Sequence, residues 1–310
     1  MGIDIVLQQV GILTIIILIG FFSAKTGYVD VKFKDAISKL IVNLLLPCLI
    51  ISSISAQEFN ASLLKDILLA ACLSLFCILS LFGIGALTAK LFKIPAYTKT
   101  VHKLLMTLGN VMFVGYPIVT AMYGEECFIY IMVYWLLNDL FLWTLGVFML
   151  DKNKGEGKGS PLKKLLNPNT VSFAIAVVMM ILGIRLPSLL DKAASGLGGL
   201  TTNISMIFIG MTLATVEVKR IFKKWWVIPA AFLKLIALPV IFMLIFKFLG
   251  IKETLAGVMV LEAAMPVQTV LSVLANEKGA DAEYSTVGMF ITTILCAVTL
   301  PFMCYLLQAI

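Results

Sequence analysis

Long stretches of this 310-residue sequence carry no ionisable side chain, which is difficult to accommodate in a water-soluble fold. Seven stretches lack Asp, Glu, Lys and Arg: residues 5–24, 40–57, 67–89, 104–124, 165–184, 193–216 and 284–310. Three more, 127–150, 225–246 and 254–276, are each interrupted by one charge, which is Asp139, Lys234 or Glu262. About 20 apolar residues cross the hydrocarbon core of a bilayer. We therefore predict ten membrane spans, numbered 1 to 10 in chain order.

Composition narrows the fold class. Hydrophobic residues make up 61% of the chain and charged residues 13%, whereas about a quarter of the residues of a soluble domain are charged. Inside hydrocarbon the protein must satisfy its own backbone hydrogen bonds, and segments this uniformly apolar do so as helices rather than as alternating barrel strands. The sequence therefore predicts an all-α transmembrane protein. No Lys or Arg precedes span 1, so we expect this span to be retained rather than cleaved as a signal peptide.

The distribution of positive charge predicts the orientation in the membrane. The formal net charge is +7, but the basic residues are spread among the loops instead of forming a nucleic-acid-binding patch. The loops after spans 1, 3, 5, 7 and 9 hold four, four, five, four and one Lys or Arg, against one, none, two and two after spans 2, 4, 6 and 8. By the positive-inside rule the first set faces the cytoplasm. We predict a multi-pass cell-membrane protein with both termini outside, in contact with lipid and not with nucleic acid.

The most polar linker divides the chain into two halves of five spans each. Because five is odd, two equivalent halves would lie in the membrane with opposite orientations, as in the inverted repeats of secondary transporters. The sequence thus predicts a first five-helix repeat over 1–150, a cytoplasmic linker over 151–168 and a second five-helix repeat over 169–310.

Short similarities between the two halves indicate a candidate binding site. Span 4 contains GYPIVTAMYGEE from Gly115, and span 9 contains AMPVQTVLSVLANE from Ala264. A proline inside a helix removes one backbone hydrogen bond and clashes with the preceding turn, so Pro117 and Pro266 are predicted to break spans 4 and 9. Irregular backbone at membrane depth is tolerated only in a cavity or in the protein interior. The alternative is a simple proline kink in each helix.

At these residues the sequence resembles the auxin efflux carrier family, which includes plant PIN-type carriers and bacterial malate or malonate permease-like proteins. The resemblance covers nearly the whole chain. Its best segments are IVNLLLPCLIISSIS from Ile41, LGNVMFVGYPIVTAMYGEE from Leu108, LLNPNTVSFAIAVVMMILGIRLP from Leu165 and EAAMPVQTVLSVLANEKGADAEYSTVG from Glu262.

The resemblance implies both a fold and a function. The implied fold has ten helices in two inverted five-helix repeats, with broken helices 4 and 9 crossing near the membrane midplane, as in sodium/proton antiporters and bile-acid symporters. Spans 1, 2, 6 and 7 would form a scaffold, and the other spans a moving transport domain. The implied function is secondary transport of a small organic anion by alternating access. The short central loop resembles that of bacterial members, which favours malate or malonate over an auxin-like acid.

The candidate substrate-binding residues lie at the predicted crossing. Half-helices that begin at Pro117 and Pro266 would point the positive ends of their dipoles at an anion. Asn110 is a neutral hydrogen-bonding side chain near the first break, for which an interhelical contact is the alternative. The resemblance also places an asparagine of span 2 and one of span 7 on the scaffold face toward the crossing. The full set is Asn43, Asn110, Gly115, Pro117, Asn203, Pro266, Gln268 and Thr269.

Two acidic side chains lie inside spans and are candidates for ion coupling. A charged side chain at the centre of a membrane helix costs about 2.5 to 3.5 kcal/mol, so Asp139 and Glu262 suggest coupling to H⁺ or Na⁺. The alternatives are an ion pair with Lys234 or the lining of a polar cavity. His102 lies in a basic loop, and we interpret it as an interfacial residue, with a proton relay as the alternative.

No motif in the sequence supports an enzyme. H-E-x-x-H, G-x-S-x-G, P-loop and Gly-rich nucleotide motifs are absent from the sequence, and its cysteines show no metal-ligand spacing. We therefore expect no catalytic residues, no metal site and no cofactor other than a coupling ion. A passive channel or a membrane receptor for small organic acids is the alternative function, and a homodimer is one candidate assembly.

The loop charges generate a test of the orientation. Single cysteines placed at Gly2 and Gln308 of a cysteine-free variant should react with a membrane-impermeant thiol reagent on intact cells. A cysteine at Gly157 should not react, because the positive-inside rule places it in the cytoplasm. Labelling is compared before and after permeabilisation of the cells. If intact cells were labelled only at position 157, the predicted orientation would be wrong.

Overall fold

The computed structural model describes residues 3–152, 167–215, 224 and 226–309, and these form helices and connecting turns with no β-strand. Most of the predicted linker 151–168 lies outside the described residues. The helices are α1 (Ile3–Lys25), α2 (Phe33–Ser55), α3 (Ala61–Leu91), α4 (Ala96–Thr107), α5 (Val111–Tyr123), α6 (Glu125–Asp151), α7 (Pro168–Leu182), α8 (Ser188–Ala214), α9 (Val227–Phe248), α10 (Glu253–Ala263), α11 (Val270–Glu277) and α12 (Ala282–Ala309).

Six helices in the described part of the chain, α2, α3, α6, α8, α9 and α12, are long and apolar enough to cross a membrane. Shorter apolar helices occur at Gly11–Lys25, Val111–Tyr123 and Pro168–Leu182. Large apolar side chains point outward from these helices, among them Phe22, Leu79, Ile181 and Val298. Such a surface suits a lipid environment. The all-helical membrane fold is therefore confirmed, and the arrangement as two inverted repeats of five stays a prediction.

Spans 4 and 9 are both interrupted. Residues 108–110 separate α4 from α5, and residues 264–269 separate α10 from α11. The predicted position of the first break is wrong, because Pro117 lies inside α5 and follows a π-helical turn at Val111–Gly115. The helix is continuous through this proline.

The π-helical turn explains why Pro117 does not break α5. In such a turn each N–H bonds to the carbonyl five residues back instead of four, as Tyr116 N–H does to the Val111 carbonyl. The wider turn relieves the contact between the proline ring and the preceding carbonyl. The same combination recurs in two other helices, where Pro47 follows Ile41–Leu45 and Pro239 follows Leu233–Ala237.

Helices α1 and α8 approach closely because glycines lie at their contact. A Cβ added at Gly210 would overlap the Ile17 carbonyl oxygen and lie 2.7 Å from the Phe21 nitrogen, and one at Gly20 would overlap the Ile207 carbonyl oxygen. Small residues that permit backbone contact are typical of membrane helix interfaces. Together with α2 and α7, these helices form one packed group.

The remaining helices also pack on one another. Helix α3 contacts α4 and α6, α9 contacts α10, and α12 contacts both α11 and α4. His102 lies in α4 within this group and is fully buried, so the prediction of an interfacial residue is wrong. Its Nδ1 pairs with the Tyr284 hydroxyl at 2.6 Å and its Nε2 with the Thr88 hydroxyl at 2.9 Å. These two partners satisfy both ring nitrogens inside the protein.

Asp281, which precedes α12, extends this polar network. It accepts hydrogen bonds from Thr98 Oγ1 at 2.6 Å, Lys224 Nζ at 2.8 Å and Tyr284 N–H at 2.9 Å. Burial alone raises the pKa of the Asp281 carboxyl, but these hydrogen bonds and the charge of Lys224 hold the pKa below its ordinary value. The network fixes the start of α12 against α4.

Candidate functional site

The interruption in span 4 leaves a short extended segment between two helices. Helix α4 ends at Thr107, Leu108 has a ψ of 120°, and Asn110 has a ψ of 65°. Gly109 lies between them, and a Cβ at this position would come within 3.3 Å of the Glu262 carbonyl oxygen. Glycine therefore allows the segment to lie directly against the end of α10.

The interruption in span 9 forms around Pro266, where the sequence predicts it. Helix α10 ends at Ala263, and α11 begins at Val270. Proline has no N–H and disfavours a helical conformation in the residue before it, here Met265. A helix therefore does not continue through this point.

The two extended segments pair with each other through their backbones. Asn110 N–H donates to the Pro266 carbonyl oxygen at 2.7 Å, and Gln268 N–H donates to the Leu108 carbonyl oxygen at 3.4 Å. Each break thus supplies the hydrogen-bond partners that the other has lost.

Side chains complete the pairing at its centre. Gly109 and Val267 form an antiparallel bridge. Gly109 N–H donates to Asn138 Oδ1 at 3.3 Å, and Val267 N–H donates to Thr292 Oγ1 at 3.0 Å. Since unsatisfied backbone groups are costly in hydrocarbon, these contacts explain how unwound backbone persists here.

A chain of side-chain amides runs from the first break to the second and ends on an acid. Asn138 Nδ2 donates to Gln268 Oε1 at 3.3 Å, and Gln268 Nε2 donates to Asp139 Oδ1 at 3.1 Å. The direction of each bond is fixed, because Gly109 N–H at one end can only donate and the Asp139 oxygen at the other end accepts. Helix α6 therefore holds both interruptions together through two adjacent residues.

A cavity of about 190 Å³ lies beside the paired segments. Among the described residues no Lys or Arg lines it. Its wall combines amide side chains, one acid, two indole rings and apolar groups, namely Val42, Leu46, Asn110, Val111, Met112, Phe113, Trp135, Asp139, Trp143, Asn167, Asn169, Gln268, Thr269 and Val270.

Three helices begin at the wall of this cavity. Helix α5 begins at Val111, α7 follows Asn167, and α11 begins at Val270, and all three residues line the cavity. The first turn of a helix carries a partial positive charge, and its N–H groups are free where no cap satisfies them, so the capped start of α7 contributes only the charge. Each such N-terminus stabilises a nearby anion by about 0.3 to 1 kcal/mol, and by up to about 2 kcal/mol when partly buried. The cavity is therefore favourable for an anion although no Lys or Arg of the described part of the chain lines it.

The start of α7 contributes two asparagines to the wall. Asn167 Oδ1 accepts from Asn169 N–H at 3.0 Å and from Thr170 N–H at 3.1 Å, and its own N–H donates to Thr170 Oγ1 at 3.1 Å. This is a capping box. Asn169 is buried, and its Oδ1 has no hydrogen-bond partner in the described part of the chain. An unpaired amide oxygen of this kind can accept a hydrogen bond from a donor group of a ligand, such as a hydroxyl.

The structure separates the predicted substrate-binding residues into two groups. Those that line the cavity are Asn110, Gln268 and Thr269. Those that do not are Asn43, Gly115, Pro117, Asn203 and Pro266. In the second group the two asparagines are exposed on α2 and α8, while the glycine and Pro117 are buried within α5. Pro266 lies at the edge of the site, where its carbonyl pairs with Asn110.

The acids predicted to couple ions have different surroundings. Asp139 lines the cavity, where Gln268 and the Trp143 side chain are its hydrogen-bond partners. Glu262, in the last turn of α10, is fully buried, and neither carboxyl oxygen has a hydrogen-bond partner among the described residues. An ionised carboxylate in such a place would cost far more than a neutral acid.

Lys234 does not form the ion pair considered as an alternative for these acids. Its ammonium is fully buried in α9 and donates to the Met106 carbonyl oxygen at 3.0 Å. This carbonyl belongs to the last turn of α4, where the helix dipole favours a cation. Lys234 therefore stabilises the C-terminal end of the half-helix that leads into the first break.

A larger cavity of about 440 Å³ lies between α9, α10 and the end of α12. Its wall includes Lys247 and Glu253, but no residue of either break lines it. Size alone would favour this cavity, whereas hydrogen-bonding groups and helix N-termini favour the smaller one. We therefore take the smaller cavity as the candidate site.

Sequence reasoning missed several groups at this site. Trp135, Asn138 and Trp143 recur with the predicted Asp139 at a spacing that places all four along one face of α6, so this periodicity was a usable signal for the three that were missed. Asn169 belongs to the NPNT motif, and its position beside a helix N-cap was a second signal. No local sequence pattern indicates that Asn138 contacts both breaks, because these contacts depend on how α6 packs against the two interrupted helices.

Comparison with known proteins identifies a family of membrane transport proteins. The model of a family described as "Membrane transport protein" matches residues 5–304. An uncharacterized transporter of Methanocaldococcus jannaschii is 24% identical over 91% of this chain and 92% of its own length. One of Methanothermobacter thermautotrophicus is 24% identical over 93% of both chains. The uncharacterized transporter YfdV of Escherichia coli K12 is 20% identical over 94% of both.

The amide chain at the two breaks yields a stability prediction. Asn138→Ala removes an acceptor from Gly109 N–H and a donor from Gln268, and we expect it to lower the free energy of unfolding by about 1 to 3 kcal/mol. Asn203→Ala, at an exposed asparagine on α8, is the matched control and should change it by less than about 0.5 kcal/mol. Thermal unfolding in detergent compares them, and equal unfolding temperatures for the two variants would contradict the bridging role.

Proposed function

Since this chain belongs to the auxin efflux carrier family of membrane transport proteins, whose model matches residues 5–304, we propose that it is a secondary transporter of a small carboxylate. The substrate would bind in the cavity beside the paired breaks and cross the membrane by alternating access. The observation that carries the proposal is the convergence of three helix N-termini on one cavity that, among the described residues, contains no Lys or Arg in its wall.

Neutral groups at the cavity suit a ligand that must be released as well as bound. Hydrogen bonds donated by the side-chain amide N–H groups of Asn110 and Asn169 and by the Thr269 hydroxyl would each contribute about 0.5 to 1.5 kcal/mol. With the helix N-termini, such a set reaches the roughly 4 kcal/mol that corresponds to a dissociation constant near 1 mM. A buried Arg or Lys would bind an anion more tightly and slow its release.

The size of the cavity favours a short-chain acid. Pockets for drug-sized ligands have volumes of about 300 to 1,000 Å³, whereas this cavity measures about 190 Å³. Malonate or malate is therefore a better candidate than an indole-containing acid. Trp135 and Trp143 would pack against the carbon chain of the ligand.

Asp139 has a positioning role in this proposal. An ionised carboxylate close to an anionic ligand repels it, so direct contact between the two is unfavourable. The Asp139 oxygens instead engage Gln268 and Trp143. Asp139 would thereby hold one amide and one indole in place at the cavity wall.

Alternating access would use the two packed groups of helices. In this proposal α1, α2, α7 and α8 form the scaffold, held by the glycine contact between α1 and α8. The remaining helices form the transport domain, and residues 1–150 and 169–310 are inverted repeats. The antiparallel pairing of the two breaks supports this arrangement, because halves of opposite orientation bring equivalent segments together in that way.

Substitutions at the cavity test the proposed binding site. Asn110→Ala and Asn169→Ala should each weaken malonate binding by about 1 to 3 kcal/mol, because a polar group of the ligand loses its partner. Binding is measured as the malonate-dependent rise in unfolding temperature, since a ligand at 100 times its dissociation constant adds about 2.7 kcal/mol. Asn43→Ala, at an exposed asparagine, is the matched control. If malonate raised the unfolding temperature equally in the wild type and in the three variants, the substrate site would lie elsewhere.

Transport itself needs a separate measurement. Proteoliposomes preloaded with unlabelled malonate should accumulate labelled malonate transiently, because a carrier exchanges its substrate whereas a channel does not. If malonate has no effect, the same thermal screen with other mono- and dicarboxylates and indole acids, with and without sodium, identifies the substrate. Flux that never saturates and shows no counterflow would favour a channel.

A further inference from the structure

Glu262 is a buried acid that the proposed substrate site does not use. It lies in the last turn of α10, next to the second break, and does not line the cavity. Its side chain is fully buried, and both carboxyl oxygens lack a hydrogen-bond partner within the described residues.

The carboxyl group lies directly against the other interrupted helix. A Cβ at Gly115 of α5 would overlap one Glu262 carboxyl oxygen and come within 2.8 Å of the other and 2.9 Å of the carboxyl carbon. The acid therefore packs on the bare backbone of the half-helix that follows the first break. Any separation of α5 from α10 would open the space around this carboxyl to water.

No cation compensates Glu262 within the described residues. Lys234, on α9, donates to the Met106 carbonyl oxygen. On α6, Asp139 is engaged by Gln268 at the cavity, and Tyr134 is the titratable side chain that interacts electrostatically with Glu262.

The other helices around α10 bring further titratable groups but no charge to this carboxyl. Cys77 on α3 is buried beside Tyr134. Tyr123 on α5 contacts α10 at Gly257, more than one helical turn before Glu262. On α12, Cys296 donates to the Thr293 carbonyl oxygen.

We propose that Glu262 is a proton-binding site whose occupancy is controlled by the contact between α10 and Gly115 of α5. With the helices packed, the carboxyl is held as the neutral acid. When they separate, the O–H bond breaks and the proton passes to water, and the reverse step takes a proton from water. The additional claim that this proton is coupled to substrate movement rests on the proposed transport function.

A proton fits this place better than a sodium ion. Hard metal cations need several oxygen ligands in their first shell, whereas both Glu262 carboxyl oxygens lack any hydrogen-bond partner among the described residues. The close contact with Gly115 also leaves no room for an ion between the carboxyl and α5. A proton needs only one carboxyl oxygen.

Infrared spectroscopy of the purified protein tests the proton site without any substrate. The wild type at neutral pH should show the C=O stretching band of a protonated carboxylic acid, shifted in D₂O. Glu262→Gln should remove intensity from this band, whereas Asp139→Asn should retain the Glu262 contribution. Glu262→Asp, which keeps an acid should the glutamine variant fail to fold, should restore a band at a changed frequency. A wild-type spectrum without the band, or one unchanged in Glu262→Gln, would overturn the proposal.

Proteoliposomes test the coupling. In Glu262→Gln, the ratio of malonate uptake driven by a pH gradient to malonate counterflow should fall at least tenfold relative to wild type. An unchanged ratio would overturn coupling through this residue. If neither protein moves malonate or another carboxylate, the proposed transport function fails, and the infrared result alone decides the proton site.

Discussion

Unpaired backbone groups are costly inside a membrane, and the structure meets this constraint by pairing two interrupted helices with each other. The hydrogen bonds of Asn110 to Pro266 and of Gln268 to Leu108 replace those that the helices lose at the breaks. Neither segment would be satisfied alone. Asn138 reinforces the pair because its single side chain reaches both breaks.

The same pairing creates the environment that is proposed to bind the substrate. Because each break ends one helix and starts another, it places free N–H groups and positive dipole ends deep in the protein. The two breaks place the N-termini of α5 and α11 at one cavity, the capped start of α7 lies at the same wall, and amide side chains complete it. In the proposals above the two acids have different tasks: Asp139 positions the wall of the cavity, while Glu262 binds a proton under the control of the contact between α5 and α10.

Much of the fold was accessible from sequence, because uncharged length and composition determine whether a segment is stable in lipid. The break at Pro266 was also accessible, since a proline lies within it. The expectation that a proline breaks a helix was wrong at Pro117. A π-helical turn before this proline lets the helix continue through it, and the break ends seven residues earlier, at Asn110. Within the site, the sequence predicted Asn110 as a cavity residue because it lies close to a break in span 4. The exposure of Asn203 and the position of Asn169 at the cavity depend on tertiary packing, which leaves no local pattern in the sequence.

Protection of one cysteine by a carboxylate tests the central claim that the cavity at the paired breaks is the substrate site. Thr269→Cys, in a cysteine-free background, places a thiol at the cavity wall, and Val273→Cys places one on the exposed face of α11. The alkylation rate of each is measured with and without saturating malonate. With malonate bound, alkylation of the cysteine at position 269 should be at least tenfold slower, and alkylation at position 273 should not change. Unchanged alkylation at 269 under conditions where malonate raises the unfolding temperature would contradict this claim.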